Sequence, residues 1–395
     1  MTIKRGHAFL QNPGPTPVPE EVLQAMHRQP MDLNDPDFTA LLWSCFEDLK
    51  PVFKTVGDVY AYTANGHGAW EAALVNCFSP GDKLLVPETG NFSLGWSDMA
   101  RSLDLEVIYL ESDWRQAVEP ARIEAALKAD QKGEIKGVLA VQIDTASGVT
   151  SDIPAMRAAI DAARHPALFM VDVIASLGVI DFRMDDWGVD VAVAASQKGL
   201  MTPPGLAFTA ANERALAITE GASLRRTYFD WSSRQSDVYY RWFCGTPPSQ
   251  LMFGLRQALD MVAEEGLDQA FARHRHLAGA VHAAVAVWAQ AGALDFNAVK
   301  AGERAHSVTP ILVSSGHDPD TMRTLCRNRF SVALGAGLGR LAGRSFRIGH
   351  MGHTNAAVIL GALAGVEAAL KQSEIPCGVG GVSAAIDHLA TVLRG

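Results

Sequence analysis

The first half of the chain alternates between short apolar runs and longer amphipathic segments. Runs rich in small and β-branched residues predict strands at 59–64, 83–88, 105–111, 135–142, 167–174, 191–196 and 206–211. Helical periodicity between several of these runs predicts helices at 69–78, 91–103, 120–129 and 153–164. Strands that alternate with helices are typical of an α/β layer built on a mostly parallel sheet, where ligands bind at the carboxyl ends of the strands.

The pattern changes after Thr246. Two long amphipathic segments predict helices within 248–266 and 267–292, followed by strands at 309–314 and 344–348 and a helix at 355–371. We therefore expect an N-terminal arm (1–20), a large α/β domain (21–265) and a smaller α+β domain (266–395). The proline- and glycine-rich stretch 12–19 is expected to lie across the surface or on a partner subunit.

Composition narrows the class of protein. Hydrophobic residues make up 48% of the chain and charged residues 19%, as in a compact enzyme. A net charge of −9 without a dense Lys/Arg run argues against a nucleic-acid partner, and no apolar stretch is long enough to span a membrane. The five scattered cysteines lack metal-ligand spacing, which favours a reducing cytoplasm and buried thiols and gives no reason to expect a metal.

Two ionisable residues stand at the ends of buried strands. Lys198 follows "VAVAASQ", and it is either a solvated loop lysine or a reactive amine at the edge of a cavity. Asp172 closes "ALFMVD", where burial of a carboxylate costs free energy unless a cation or hydrogen-bond donor meets it. The alternative for Asp172 is a carboxylate that caps the next helix or turn.

Other polar groups follow the same pattern. The turn Asn65–Gly68 precedes a helix and offers an anion site, or else a plain Asn cap. Asp144, Thr145 and Ser147 follow another strand, as they also would in an ordinary turn. Arg347 interrupts an apolar strand, and either binds a carboxylate or forms a structural ion pair.

An amine, a carboxylate, an anion turn and short hydroxyls at one sheet edge suit one ligand, pyridoxal 5′-phosphate (PLP). Lys198 would bind its aldehyde, Asp172 would keep its ring nitrogen protonated, and the turn Gly66–Gly68 would take its phosphate. His350 and His353 have no acidic or cysteine partner in the sequence, and we interpret them as polar loop residues.

Longer stretches carry a family resemblance. They are "NPGPTPVPEEV", "GHGAWEAAL", "SPGDKLLV", "SGV", "VDVIASLGVIDFRMDDWGVDVAVAASQKGLMTPPGL", "GTPPS" and "FRIGHMG". In these the chain resembles the class V, fold-type I PLP aminotransferases of the alanine/serine/aspartate–glyoxylate group. The resemblance implies a mostly parallel seven-stranded large domain, a smaller α+β C-terminal domain, and a homodimer with active sites at the subunit interface. It also implies ping-pong transfer of an amino group from a small amino acid (Ser, Ala or Asp) to glyoxylate or another small 2-oxo acid.

The resemblance also assigns roles to individual residues. Lys198 matches the catalytic lysine, and Arg347 matches the arginine that binds the substrate carboxylate. The implied cofactor contacts are Asp172 at the ring nitrogen, Gly66, His67 and Gln197 on the phosphate side, Thr145 near the phenolic oxygen, Phe92 stacked on the ring, Ile174 as a further contact, and Thr246 reaching the phosphate from the neighbouring subunit.

Two departures from the family pattern concern specificity more than reaction type. The family often has Tyr where this chain has Phe243, which removes one expected cross-subunit hydroxyl contact. "QIDTAS" replaces the more usual "HNETST" in the wall around the cofactor.

Other PLP-dependent activities remain as alternatives. A lyase or aldolase acting on a β-hydroxy amino acid could use the same Lys198 and Asp172. A cysteine desulfurase needs a mobile reactive cysteine, whereas Cys326 is predicted to lie in a small-domain helix. A non-catalytic PLP-binding regulator usually carries an added DNA-binding module, for which this chain has neither the room nor the charge.

Overall fold

The computed structural model describes residues 6–393, which form two β-sheets with helices packed against them. The strands are β1 (Phe9–Gln11), β2 (Asp58–Ala64), β3 (Lys83–Pro87), β4 (Glu106–Leu110), β5 (Ile135–Val141), β6 (Ile143–Asp144), β7 (Val149–Thr150), β8 (Leu168–Asp172), β9 (Val191–Ala195), β10 (Gly205–Ala211), β11 (Leu294–Phe296), β12 (Val308–Val313), β13 (Val332–Ala336) and β14 (Ser345–Gly349). The helices are α1 (Glu20–Met26), α2 (Pro36–Phe53), α3 (Gly66–Cys77), α4 (Asn91–Ser102), α5 (Pro120–Ala129), α6 (Ile153–Ala163), α7 (Glu213–Thr219), α8 (Trp231–Arg234), α9 (Ser249–Glu265), α10 (Leu267–Trp288), α11 (Pro319–Phe330), α12 (Ala356–Gln372) and α13 (Gly381–Val392).

The larger sheet has seven strands in the order β2-β10-β9-β8-β5-β3-β4. Only β10 runs against its neighbours, so β2, β3, β4, β5, β8 and β9 all end at the same edge. The mostly parallel seven-stranded sheet predicted from the sequence is confirmed, and each predicted strand lies within two residues of the observed one. The four predicted helices are also confirmed, although α3 begins three residues earlier than expected.

The alternation of side chains along β8 sends its residues into two separate layers. Phe169 and Val171 pack into the layer that contains α2, α5, α6 and α9, whereas Leu168 and Met170 pack into the layer that contains α3 and α4. Because side chains on a strand repeat every two residues, Asp172 belongs on the α3 side. The last residue of a fully buried strand thus projects its carboxylate towards a helix rather than towards solvent.

The smaller sheet has five strands in the order β1-β13-β14-β12-β11, and only the β1–β13 pair is parallel. Helices α10, α12 and α13 cover it with a separate apolar core. The strands predicted at 309–314 and 344–348 and the helix predicted at 355–371 are confirmed to within one residue. Helix α9 ends at Glu265, next to the expected domain boundary, while the division into three parts stays a prediction.

The sequence led us to expect that the N-terminal arm lies across the surface or on a partner subunit. The structure shows contacts of the arm with two parts of its own chain. Strand β1 joins the small-domain sheet. Thr16 then donates its backbone N–H to the Gln197 carbonyl (3.1 Å) and its hydroxyl to the Lys198 carbonyl (3.2 Å). The arm therefore connects the small sheet to the loop that carries the candidate catalytic lysine.

The five cysteines are all free, and Cys45, Cys77 and Cys326 are buried as predicted. Cys244 is exposed and Cys377 is half-buried, so the expectation of buried thiols is wrong for these two. Across residues 6–393 there is no helix with both the length and the apolar character needed to cross a membrane.

Candidate active site

A cavity of about 320 Å³ opens at the carboxyl edge of the large sheet. Eight of the ten predicted site residues line it: Gly66, His67, Phe92, Thr145, Asp172, Ile174, Gln197 and Lys198. The side chains come from the ends of separate strands and from the starts of α3 and α4, as expected for a ligand site in an α/β sheet.

Asp172 is the buried acid of the cavity, with 3% of its surface exposed. Its Oδ1 accepts the backbone N–H of Ile174 (2.7 Å), and its Oδ2 accepts the indole N–H of Trp70 (2.7 Å). Burial raises the pKa of Asp172 to about 7, against the lowering effect of these two donors. The carboxylate is thus held at the cavity wall in a fixed orientation.

Lys198 lies in the loop after β9 and is also buried. Its Nζ donates to the carbonyl of Pro13 in the N-terminal arm. Burial and the nearby charge of Arg347 lower the pKa of Lys198 to about 8, against the raising effect of Asp172. Only glycine fits at the next position, because a Cβ on Gly199 would lie 2.1 Å from the Leu177 carbonyl oxygen. The reactive-amine interpretation agrees with this environment.

The first turn of α3 forms one wall of the cavity. Asn65 caps the helix by accepting the His67 N–H (3.1 Å), and the His67 ring packs on Trp70 with ring centroids 4.6 Å apart. A helix N-terminus favours a bound anion. Gln197 adds a side chain whose buried Oε1 has no hydrogen-bond partner among residues 6–393.

A second buried carboxylate positions the aromatic wall. Asp144 accepts the backbone N–H groups of Phe92 (2.8 Å) and Ser93 (3.1 Å) at the start of α4, and that of Ala146 (2.9 Å) in its own loop. Burial raises the pKa of Asp144, and these donors lower it. Asp144 does not line the cavity itself, but its hydrogen bond to the Phe92 backbone fixes the position of Phe92 in the cavity wall.

Arg347 comes from the small domain and stands just outside the lining. Its Nη1 donates to the Thr145 carbonyl (3.0 Å), and its Nε donates to the Ala336 carbonyl (2.6 Å). Burial lowers the pKa of Arg347 to about 10. No carboxylate side chain bonds its guanidinium in the part of the chain that the structure describes, so the structural ion pair considered from the sequence is absent there.

The two cross-subunit positions lie away from this cavity. Thr246 is exposed just before α9 and does not line the cavity of its own chain. Phe243 is buried, and its ring packs against Phe46 with centroids 5.5 Å apart. The phenyl ring is therefore part of the core of its own subunit.

His350 and His353 both lie in the loop after β14, as predicted, but their environments differ. His350 is buried: its Nε2 pairs with the Thr309 hydroxyl (2.8 Å) and its Nδ1 with the His306 carbonyl (2.9 Å). It is a hydrogen-bonded core histidine because it directly follows β14, whereas His353 is exposed as expected. Within residues 6–393, no group of three or more His, Cys, Asp or Glu side chains is placed to hold a metal.

Several lining residues were not predicted. They are Gly14, Pro15, Trp70, Ile143, Ala175 and Pro204, whereas Asn65, which also lines the cavity, belongs to the turn singled out in the sequence. Trp70 had a usable signal, because it lies four residues after Gly66 and so one helical turn along the same face. The arm residues had none, because nothing local in a Pro/Gly stretch indicates the loop on which it will pack.

Comparison with known proteins decides the family. The family described as "Aminotransferase class-V" matches residues 8–344. The chain belongs to the class V aminotransferases. It is 43% identical to the serine–glyoxylate aminotransferase of Methylorubrum extorquens, covering 98% of this chain and 96% of the relative. It is 40% identical to the L-aspartate–glyoxylate aminotransferase of Paracoccus denitrificans, over 95% of this chain and 94% of the relative.

The solved structures agree with the sequence comparison. The ureidoglycine–glyoxylate aminotransferase of Bacillus subtilis superposes with a TM-score of 0.89 at 27% identity, over 98% of this chain and 99% of the other. This class V aminotransferase therefore has the fold-type I architecture and depends on PLP. The cavity fits that cofactor, since it offers an amine, a buried carboxylate and a helix N-terminus to an aldehyde, a ring nitrogen and a phosphate.

The Gly14→Ala variant tests the contact between the arm and Lys198. A Cβ at Gly14 would lie 2.3 Å from Nζ and 2.4 Å from Cε of Lys198, so the lysine must move. We expect turnover of the aminotransferase to fall on the order of a hundredfold. Gly6→Ala is the matched control, because Gly6 also has a positive φ (+107°) and its Cβ would meet nothing within 4 Å. Equal activity of the two variants would contradict the contact.

The lowered pKa of Lys198 predicts how fast the apoprotein captures PLP. The deprotonated amine attacks the aldehyde, so the capture rate should rise with pH and level off above about pH 8, rather than above the ordinary lysine value. Stopped-flow absorbance measures this rate. Asp172→Asn removes a charge that raises the pKa of Lys198. In this variant, the midpoint of the plot of capture rate against pH should therefore move to lower pH. A rate that still climbs at pH 10 would rule out the lowered pKa.

Proposed function

We propose that this aminotransferase transfers the amino group of a small amino acid of the serine, alanine or aspartate type to glyoxylate or another small 2-oxo acid, by a ping-pong mechanism. The observation that carries the proposal is the convergence of Lys198, Asp172 and the start of α3 on one cavity. Support for the substrates comes from relatives named for serine–glyoxylate and aspartate–glyoxylate transfer that match almost the whole chain.

Bound PLP supplies an aldehyde for the amino group and a ring that withdraws electrons from the substrate Cα. The chain's own residues orient that ring. Asp172 would pair with the ring nitrogen, Phe92 and Ile174 would contact the ring, and Thr145 would supply a hydroxyl near the phenolic oxygen. Gly66, His67 and Gln197 would hold the phosphate at the start of α3, where the helix dipole favours an anion.

Lys198 would hold the aldehyde of the cofactor, and its amine, when free, would act as the base that moves a proton from the substrate Cα. A general base works best when its pKa lies near the working pH. The pKa of Lys198, about 8 in this buried site, lies closer to neutral pH than the pKa of an exposed lysine. The Pro13 carbonyl, which accepts from Nζ, shows that the amine points along the arm side of the cavity.

Arg347 binds the substrate carboxylate. Its guanidinium reaches the cavity wall, where Nη1 donates to the Thr145 carbonyl. Nε donates to the Ala336 carbonyl, and the remaining N–H groups can donate to a substrate carboxylate. The cavity of about 320 Å³ must hold both cofactor and substrate, which favours a small amino acid.

The enzyme is proposed to be a cytoplasmic homodimer. Thr246 is exposed in the single chain, and Tyr228, Val238 and Tyr240 nearby in sequence are exposed hydrophobic side chains. In a dimer that covers these residues, Thr246 reaches the phosphate in the partner's site. Five free cysteines are consistent with a reducing compartment.

The reaction is tested with purified holoenzyme, glyoxylate, and serine, alanine or aspartate as donor. We expect glycine and the donor's oxo acid in equal amounts. Lys198→Ala should reduce turnover on the order of a thousandfold, while Lys136→Ala, at an exposed lysine in β5, should not. Glycine and an aldehyde formed from a β-hydroxy amino acid, with no need for an oxo acid, would establish a lyase instead.

The Arg347→Gln variant tests carboxylate binding. Loss of charge-assisted hydrogen bonds should raise KM for both the amino acid and the oxo acid by about 10- to 100-fold, measured at saturating PLP. Arg344→Gln is the control, because Arg344 is an exposed arginine just before β14. Unchanged KM values in Arg347→Gln would remove Arg347 from the substrate site.

A further inference from the structure

Trp70 is a buried side chain to which the mechanism above gives no role. It is 1% exposed, lies one turn into α3, and donates its indole N–H to Oδ2 of Asp172 at 2.7 Å. Hydrogen bonds to a charged acceptor are among the stronger ones in proteins. Trp70 supplies the one side-chain donor to Asp172 among the described residues, since the other donor is the backbone of Ile174.

The indole itself is held in place on several sides. Its ring stacks on Trp96 with an interplanar angle of 14° and centroids 6.1 Å apart. Phe92 meets it edge-on at 6.3 Å, and the His67 ring lies at 4.6 Å. The donor that orients Asp172 therefore belongs to the same aromatic cluster that lines the cavity.

We propose that Trp70 is a positioning residue of this aminotransferase, whose indole N–H fixes the Asp172 carboxylate in the orientation that pairs with the ring nitrogen of PLP. This inference rests on the proposed function, because it assigns Asp172 the role stated there. Trp70 acts only through Asp172, and it takes no part in proton transfer.

The charge state of Asp172 depends on the same hydrogen bond. Burial and the nearby charge of Asp144 raise the pKa of Asp172, while the Ile174 and Trp70 donors and the charge of Lys198 lower it, with a result of about 7. Removal of the Trp70 donor raises this pKa further. A smaller fraction of Asp172 is then ionised at neutral pH, and cofactor binding weakens as the pH falls through the new, higher midpoint.

The structure offers a matched pair of variants. Trp70→Phe removes the N–H bonded to Asp172 and keeps an aromatic ring. Trp96→Phe removes the indole N–H of the stacked neighbour, which is buried without a hydrogen-bond partner in the described range. The two variants delete similar groups from one cluster, and only the first touches Asp172.

The measurement is the dissociation constant of PLP for the apoprotein, determined by equilibrium dialysis from pH 6 to pH 9. We expect Trp70→Phe to weaken binding about tenfold at pH 7 and to move the acid limb of the profile to higher pH. Trp96→Phe should follow the wild type. Identical profiles for Trp70→Phe and Trp96→Phe would overturn the inference. Trp70→Leu replaces Trp70→Phe if the latter does not fold.

A double-mutant cycle separates positioning from general packing. In an Asp172→Asn background, Trp70→Phe should change PLP affinity by less than about twofold, because the group through which it acts is gone. A full tenfold effect in that background would mean that Trp70 is merely structural.

Failure of the proposed function gives a different result. Wild-type protein that binds no PLP would refute that function and the positioning role together. The titration of the ¹³C-labelled Asp172 carboxyl in the apoprotein does not depend on the cofactor. An upward shift of its midpoint in Trp70→Phe alone, with wild-type PLP binding intact, supports the inference, and no shift contradicts it.

Discussion

The buried carboxylate of Asp172 is the constraint on which the rest of the site depends. It ends the central strand β8 on the α3 side of the sheet, where a carboxylate without donors would cost several kcal/mol. Two N–H groups, from Trp70 and Ile174, meet that need. The Trp70 hydrogen bond also joins α3 to the end of β8, next to the N-terminus of α3, where an anion can bind. Satisfying one buried acid thus assembles two walls of the cavity.

Two acidic and two basic side chains from separate parts of the chain are buried at the cavity. Asp172 and Asp144 are the buried acids, and Lys198 and Arg347 are the buried bases. Each acid helps to offset the cost of burying a base, and Arg347 in turn lowers the pKa of Lys198. Because Arg347 lies on β14 of the smaller sheet, the pKa of Lys198 depends on how that sheet packs against the larger one. In the proposed mechanism, substrate recognition and proton transfer are therefore electrostatically linked.

The sequence predicts most of the large sheet because its strands are short runs of buried apolar residues, a signal that survives without tertiary information. The sequence also indicates the candidate site residues at the strand ends, because ionisable residues such as Asp172 and Lys198 come at or just after the ends of those apolar runs. The arm was not predictable, because the contact between the Pro13 carbonyl and Lys198 depends on packing between distant segments. The spacing of Trp70 from Gly66 indicates the cavity side of α3, but no sequence signal predicts the hydrogen bond from its indole N–H to Asp172, which lies 102 residues further along the chain.

A crystal structure of the protein grown with PLP tests the central claim most directly. The account predicts the pyridine ring in the cavity, its nitrogen about 3 Å from the Asp172 carboxylate, its phosphate at the start of α3, and continuous density to Nζ of Lys198. A cofactor bound elsewhere, or a ring turned away from Asp172 with Lys198 still bonded to the Pro13 carbonyl, would contradict it.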